Sequence, residues 1–326
     1  MQRRHLLSGL LAVPALGAVC VALPSGGACA TRGSVASGFP GIEGWLNAPA
    51  AFEPMAPGRP ATLVNFWTYS CINARRTLPY LRRWDATYRL AGLQILGIHT
   101  PEFSFEHLRR NVEEAVRELG IRYPVGQDNG YSTWRAWNNR AWPAFHLLDG
   151  EGRIVLLREG EGHARGMEGA IRALLGLSPR DHPGEEADLS RIGTPEIYFG
   201  ATHPTPQDPA QSPRRGEATY AFGAAPGLRL NRYALDGTWA REAEALVHRS
   251  PRGALRLRFS AAQLHLVAAA PEDAAIRVSV DGGAPRMLGI TRPTLYTLLE
   301  GATYGEHLLE MEATTPGLAL FSATFG

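Results

Sequence analysis

The hydrophobic pattern of the chain changes near residue 178, and this change limits the possible fold more than any other feature. Before it, apolar runs typical of strands alternate with runs of helical spacing, beginning with a strand at 62–67 and a helix at 72–88. After residue 198 the helical period disappears and short alternating runs recur, at 255–259, 264–267, 276–280 and 296–299. The pattern therefore predicts an α/β domain followed by an all-β domain.

The order of elements in the first half predicts how its sheet is built. A buried strand at 93–100 and a helix at 105–119 continue the alternation. Two strands at 144–148 and 154–157 then flank the turn residues Asp149-Gly150-Glu151-Gly152, and a helix at 164–175 follows. Parallel crossover units followed by an antiparallel hairpin favour a mixed sheet flanked by helices.

The changes in composition predict the domain boundaries. We expect a signal peptide at 1–30, an N-terminal segment at 31–60 and an α/β domain at 61–177. A polar stretch at 178–193 has the composition of a linker. Residues 194–326 are predicted to form a β-sandwich of jelly-roll type.

The first thirty residues resemble an export signal. Arg3 and Arg4 precede the apolar run 6–22, and Ala28-Cys29-Ala30 offers small residues for cleavage. The paired arginines are similar to those of a twin-arginine signal. We therefore expect a periplasmic or otherwise exported protein, with an uncleaved N-terminal membrane anchor as the alternative. Cleavage after Ala30 would leave Cys71 as the only cysteine, so an internal disulfide is excluded.

Charge and motif content exclude several classes of protein. The chain has 33 basic and 31 acidic residues and a net charge of +2, which does not favour binding to nucleic acid. No spacing of Cys and His is typical of a metal site, and no glycine-rich phosphate loop follows a strand. We therefore expect neither a metal nor another cofactor.

Cys71 is the strongest candidate for a chemical role. It lies between the predicted strand at 62–67 and the predicted helix at 72–88. At such a position, unpaired backbone N–H groups and the helix dipole stabilise a thiolate, which is the nucleophilic form of cysteine. The alternative is a buried, inert cysteine that acts as a small apolar residue.

The residues around Cys71 resemble a known family. Phe66-Trp67, Cys71 and Pro79 are similar to the thioredoxin superfamily. The resemblance to the exported DipZ-like thioredoxins is more specific, and rests on Thr68–Asn73, Leu78–Leu81, His99–Phe103, Asp128-Asn129, Trp142–Ala144 and Gly160–Gly162. It implies a thioredoxin-like fold, thiol–disulfide exchange and a C-terminal β-sandwich similar to carbohydrate-binding modules. The implied partners are protein thiols or disulfides, a small-molecule thiol, and a membrane electron-transfer protein or a glycan.

One departure from the family pattern changes the expected chemistry. The family has Cys-x-x-Cys, and Ala74 occupies the second position here. In that pattern the first thiolate attacks a disulfide and the second thiol resolves the mixed disulfide. Asn65 also stands where thioredoxins have a buried aspartate, and an amide cannot accept a proton at neutral pH. Cys71 is therefore expected to form mixed disulfides that an external thiol must resolve.

The resemblance also implies which residues lie near the thiol. Pro143 would be the cis-proline that faces the cysteine, and Trp142 would form an apolar wall beside it. Four further residues are expected to form the substrate-facing surface around the thiol: Tyr69, Ser70, Ile72 and Asn73. From the residues themselves, Glu102 and Glu106 follow a strand and could move protons near the site, or could be a solvated pair at a helix start.

Two other functions remain open at this point. The chain could be a redox-inactive binding protein whose β-sandwich holds a glycan or a partner. Five aromatic residues of the second half could stack on a sugar, although packing in the core is the more common role: Tyr198, Tyr220, Tyr233, Trp239 and Tyr296. The chain could also be a one-cysteine peroxidase, because Thr68-x-x-Cys71 resembles a peroxiredoxin core. The position seven residues before the cysteine, however, holds Val64 where that core has proline.

Overall fold

The computed structural model describes residues 33–180, 189–204, 206–211, 215–223, 227–271 and 274–326. The expected signal peptide and the central part of the expected linker lie outside the described residues. None of the helices in the described ranges is long and apolar enough to cross a membrane.

The first half forms a six-stranded mixed sheet covered by helices. Its elements are β1 (Trp45–Leu46), β2 (Ala61–Trp67), α1 (Ile72–Tyr88), β3 (Leu93–His99), α2 (Arg109–Glu118), β4 (Val125–Gln127), α3 (Ser132–Ala136), β5 (Ala144–Asp149), β6 (Ile154–Glu159) and α4 (Ala164–Leu174). The strand order is β1-β4-β3-β2-β5-β6. Strands β2, β3 and β4 are parallel, whereas β5 and β6 form the antiparallel hairpin. The predicted thioredoxin-like fold class is confirmed.

The central strands are apolar because both of their faces are covered. Every residue of β2 and of β3 is buried. Helix α1 packs on one face through the predicted stripe, Leu78, Leu81, Trp84 and Tyr88, all of which are buried. Parallel strands with helices on both faces need such continuous apolar runs. The sheet thereby fixes the carboxyl end of β2, where Cys71 follows.

The second predicted helix is interrupted. Residues 105–119 do not form one helix, because a short 3-10 turn at Ser104–His107 precedes α2 and Leu108 is extended between them, with φ −73° and ψ 113°. The buried carboxylate of Glu106 accepts hydrogen bonds from the backbone around this turn. The same carboxylate also accepts from the N–H and hydroxyl of Ser70, and these tertiary bonds compete with a continuous helix and explain the break.

The N-terminal segment contributes to the α/β domain more than its sequence suggested. Strand β1 pairs with β4 and extends the sheet, with Trp45 opposite Gly126. Phe39 stacks on Trp137 at 5.4 Å between ring centroids, and Phe52 packs against Trp45 at 5.1 Å. This segment therefore covers the sheet face opposite α1.

The second half is all-β. Its strands are β7 (Ile197–Tyr198), β8 (Gly216–Tyr220), β9 (Arg232–Arg241), β10 (Leu246–His248), β11 (Gly253–Ala261), β12 (Leu264–Ala269), β13 (Ala274–Val280), β14 (Arg286–Ile290), β15 (Thr294–Leu299), β16 (Gly305–Ala313) and β17 (Ala319–Phe325). The path of pairing is β14-β13-β16-β11-β9-β10-β17-β12-β15, with β7 on β17 and β8 on β9. All of these pairs are antiparallel.

Strand β9 changes its pairing partners along its length. Its first residues pair with β11, and its last residues pair with β8 and β10. Gly237 lies between them with φ +86°, and a Cβ there would lie 2.6 Å from the carbonyl oxygen of Arg252. Only glycine fits this conformation and this space. Tyr233 and Trp239 are fully buried in the core, so they are not available to stack on a sugar.

The two domains share an apolar interface. Phe321 of β17 packs against Phe103 and Phe105, with ring centroids 5.2 and 4.8 Å apart. Polar contacts surround this patch. Arg75 Nη2 donates to Thr294 Oγ1 at 2.8 Å, and the Ser104 N–H donates to Glu244 Oε2 at 2.9 Å. The all-β domain therefore lies directly against the turn that follows β3.

Candidate functional site

Cys71 lies where β2 passes into α1. It is the N-cap residue of α1, with φ −79° and ψ 118°, and it is half-buried. Its Sγ lies 3.7 Å from the carbonyl oxygen of Trp142. The thiol is thus positioned by the sheet from one side and by the loop before β5 from the other.

The loop before β5 has the form that the resemblance implies. The Trp142–Pro143 peptide bond is cis. Trp142 is half-buried and packs on Trp134, with ring centroids 4.5 Å apart, while Pro143 is buried. The Trp142 carbonyl therefore borders the thiol.

The residues that flank Cys71 divide into inward and outward groups. Tyr69 and Ser70 are 1% exposed and Ile72 is 8% exposed, so these three side chains point into the protein. Asn73 is half-exposed, and its Oδ1 accepts from Arg76 Nη2 at 3.0 Å. We expected all four to form the substrate-facing surface, but only Asn73 has a side chain that reaches it.

Glu106 fixes the backbone on the inner side of the thiol. It is fully buried, so it is not part of a solvated pair. Its Oε1 accepts from Thr68 Oγ1, from Ser70 Oγ at 2.7 Å and from the Ser70 N–H at 3.2 Å. Its Oε2 accepts from the N–H groups of Glu102 at 2.6 Å and Phe103 at 3.0 Å. Five donors on one buried carboxylate bind the Cys71 loop to the turn after β3.

Glu102 lies on the same turn after β3 and has fewer partners. Its Oε1 accepts from the Tyr198 hydroxyl at 2.6 Å, a bond that crosses from one domain to the other. Burial, together with the neighbouring Glu196 and Glu106, raises the pKa of Glu102 to about 8, although the Tyr198 bond acts to lower it. A carboxyl with such a pKa exchanges its proton near neutral pH.

The surroundings of Cys71 oppose an acidic thiol. Burial raises the pKa of Cys71 well above its ordinary value, and the negative charges of Glu102 and Glu196 raise it as well. Backbone hydrogen bonds at the start of α1 act in the opposite direction and are the weaker influence. The expectation that the helix start stabilises the thiolate is therefore outweighed by burial and by two carboxylates.

The position of the missing thiol is closed to solvent. Ala74 is in the first turn of α1 and is fully buried, and so is Asn65 on β2. Neither side chain can attack a disulfide or exchange a proton. Cys71 is the one cysteine among the described residues.

A polar cleft of about 190 Å³ opens beside the start of α1, between the two domains. Its lining includes Asn73, Arg76, Glu161, Thr194 and Glu196. Arg76 and Glu161 form a two-pronged ion pair there, with distances of 2.7 and 2.8 Å. Asn73, whose side chain points outward beside Cys71, is part of the lining of this cleft.

Thr68 is held away from the solvent side. It is fully buried, donates to Glu106, and lies 3.3 Å from Nε2 of His99. Burial lowers the pKa of His99 to about 3, so this imidazole is neutral. No group of three or more His, Cys, Asp and Glu side chains in the described ranges could hold a metal ion.

Sequence reasoning missed two features of the site. It treated Tyr198 as a candidate for sugar binding or packing, whereas its hydroxyl donates to Glu102. It also gave Glu106 no structural role. A buried acidic residue soon after a central strand was a signal for Glu106, but nothing local indicated the contact of Tyr198.

Comparison with known proteins finds similar sequences for both halves of the chain. Residues 194–326 match the family described as "Thioredoxin like C-terminal domain". Protein DipZ of Mycobacterium tuberculosis is 32% identical over 297 residues, which cover 88% of this chain and 42% of DipZ. The thiol-disulfide oxidoreductase YkuV of Bacillus subtilis is 23% identical over 135 residues, covering 41% of this chain and 90% of YkuV.

Among solved structures, a thioredoxin-like protein in the oxidized form matches 44% of this chain and 95% of its own, with 20% identity and a TM-score of 0.39. The present chain spans about two fifths of the length of DipZ. The sequence matches confirm the resemblance that the motifs of the first domain indicate.

Proposed function

We propose that this chain exchanges disulfides through the single nucleophile Cys71. It is a homologue of DipZ and belongs with the thioredoxin-like thiol–disulfide oxidoreductases. The observation that carries the proposal is the half-buried thiol at the start of α1, with the Trp142 carbonyl 3.7 Å away and alanine at the resolving position. A thiol in this position can attack a disulfide, but no second cysteine at the resolving position can release it from the mixed disulfide.

The proposed reaction has two steps. In the first, the Cys71 thiolate attacks one sulfur of a substrate disulfide, forms a Cys71–substrate disulfide and expels the other sulfur as a thiolate, which takes up a proton. In the second, an external thiol attacks the mixed disulfide, forms a new disulfide with the substrate sulfur and restores Cys71. The sum is an exchange between two external partners with no net oxidation of the protein.

We assign the proton transfer to Glu102. A carboxyl whose pKa is about 8 is partly ionised near neutral pH and can accept the Cys71 proton as the thiolate forms. The same group can return the proton to the leaving thiolate. In this scheme the high pKa of Cys71 keeps the resting thiol protonated, and the carboxylate produces the thiolate when substrate is present.

We place the protein outside the cytoplasm. The proposal rests on the export-like pattern of residues 1–30. Its partners would be protein disulfides or thiols and a small-molecule thiol. The α/β domain at 61–177 would carry the chemistry, and residues 194–326 would close one side of the site.

A trapping experiment tests the function. The mature full-length chain is incubated with a peptide that contains one disulfide, and the product is followed by intact mass spectrometry. We expect one adduct on Cys71, its loss on addition of glutathione, and no adduct in Cys71→Ser. Absence of an adduct in the folded wild-type chain would show that the thiol is not a nucleophile.

The peroxidase alternative makes a different prediction. The Thr68 hydroxyl donates to the buried Glu106 and so is not available to orient a peroxide. Treatment with hydrogen peroxide and dimedone, which captures sulfenic acids, should label Cys71 more slowly than the peptide disulfide does.

A further inference from the structure

The all-β domain contributes a side chain to the redox site. Tyr198, at the end of β7, donates its hydroxyl to Glu102 Oε1 at 2.6 Å. Strand β7 is held in place by pairing with β17, where Tyr198 lies opposite Ser322. The phenol ring stacks on His203, with centroids 4.1 Å apart, and packs against Phe103 at 6.4 Å. The hydroxyl is therefore aimed at Glu102 by packing on both sides.

We propose that Tyr198 is a positioning residue of the site: its hydroxyl holds the Glu102 carboxylate in place for proton exchange with Cys71. This inference rests on the proposed function, since it assigns a role to a residue that acts through Glu102. It makes the all-β domain part of the catalytic arrangement.

The charged groups near Glu102 explain why a donor is needed there. Glu106 faces Glu102 from the same turn, Glu196 faces it from the all-β domain, and Cys71 faces it from the start of α1. Glu196 and Glu106 are acidic groups that oppose ionisation of Glu102. The Tyr198 hydroxyl acts in the opposite direction and favours the carboxylate.

Removal of the hydroxyl has a defined consequence. Without it, the Glu102 carboxyl stays protonated to higher pH. A neutral Glu102 opposes ionisation of Cys71 less than a charged one does. At a pH where wild-type Glu102 is ionised, a larger fraction of the variant molecules than of the wild-type molecules therefore carries the Cys71 thiolate. Below that pH, Glu102 is neutral in both proteins and the thiolate fraction is the same.

The test is the pH profile of alkylation of Cys71 by iodoacetamide in the full chain, measured by intact mass from pH 6 to pH 10. In Tyr198→Phe, which keeps the ring and its packing, we expect the rate between pH 8 and 9 to rise about three- to ten-fold, the range that the net strength of one typical hydrogen bond allows. At pH 6 the two rates should coincide. Tyr296→Phe is the matched control, because it removes a hydroxyl that donates to a backbone carbonyl, that of Arg292, at 2.6 Å.

A double variant separates positioning from a general effect on structure. The Tyr198 hydroxyl also interacts with Glu196, which acts on Cys71 as well, so the background is Glu102→Gln/Glu196→Gln. In that background Tyr198→Phe should leave the profile unchanged, because both carboxyls are gone. If Tyr198→Phe gave the wild-type profile, or shifted the profile equally in the Glu102→Gln/Glu196→Gln background, the assignment would be wrong. Failure of Cys71 to form a mixed disulfide would overturn the proposed function instead, and is measured separately.

Discussion

Glu102 and Glu106 lie four residues apart on the same turn and have opposite roles. Glu106 faces the inner side of the Cys71 loop, is fully buried and accepts five hydrogen bonds. Glu102 faces the outer side, is half-buried and accepts one hydrogen bond, from Tyr198. Both have a raised pKa, mainly because of burial.

The two carboxyls differ in the number of their hydrogen-bond donors more than in the direction of their pKa shifts. In the proposed mechanism, this number separates a structural carboxyl from a reactive one. A buried acceptor with five donors cannot be altered without leaving those donors unpaired. A carboxyl with one donor can gain or lose a proton while its surroundings stay intact. In the proposed mechanism, the inner side of the loop therefore provides rigidity and the outer side provides chemistry.

The largest expected change comes from adding a thiol on the inner side. Ala74→Cys places a second cysteine in the first turn of α1, three residues after Cys71. We expect an internal disulfide that forms and opens reversibly, and reduction of insulin by dithiothreitol that only the variant accelerates. Insulin reduction by the wild-type chain at the rate of the variant would contradict the assignment of Ala74 as a missing resolving residue.

Loss of the inner carboxylate should cost the most stability. Glu106→Gln removes one of two acceptor oxygens and leaves buried donors unpaired, so we expect the free energy of unfolding to fall by about 3 kcal/mol. Glu102→Gln is the matched control and, compared at pH 4.5, where the Glu102 carboxyl is protonated in the folded chain, should change it by less than about 1 kcal/mol. Urea denaturation measures both. Equal losses would remove the distinction between the two carboxyls.

Loss of the outer carboxylate should change reactivity instead. Glu102→Gln removes a negative charge that raises the pKa of Cys71. We expect alkylation by iodoacetamide at pH 8 to be about ten-fold faster, which corresponds to one pKa unit. The rate of exchange with a peptide disulfide should rise by a smaller factor, because the variant also lacks the proposed proton acceptor. An unchanged alkylation rate would show that Glu102 does not act on the thiol.

The last expected effect, on the pH dependence of stability, develops gradually with pH. The pKa of Glu102 is about 8 in the folded chain against an ordinary value of 4.5. Between these values the unfolded chain loses a proton that the folded chain keeps, so this group makes the fold less stable as pH rises. Glu102→Gln should therefore gain stability relative to wild type from pH 4.5 to 8, and the difference should be constant above pH 8.

The sequence predicted the elements that its local pattern determines. Helix α1 spans the predicted residues 72–88, and β2 and β3 lie within a residue of their expected ends, because their burial follows from a continuous apolar pattern. The break at Leu108 could not be predicted, since it depends on bonds that Glu106 makes to distant backbone.

The position of Cys71 was predicted better than its chemistry. The strand-to-helix junction placed the thiol at the N-cap of α1, as the structure has it. The direction of its pKa shift depends on Glu102 and Glu196, which the packing of the two domains brings near. The Tyr198–Glu102 bond joins residues 96 positions apart, so no local pattern could reveal it.

The most direct test of this account is the rate of Cys71 alkylation in the wild-type chain as a function of pH. Intact mass spectrometry with iodoacetamide would follow a single modified residue from pH 6 to pH 10. The account predicts a rate that is slow at pH 7 and still rises above pH 9, because burial and two carboxylates keep the thiol protonated. A rate that reaches its plateau at or below pH 7 would mean that the start of α1 stabilises the thiolate, and would contradict the role given to Glu102.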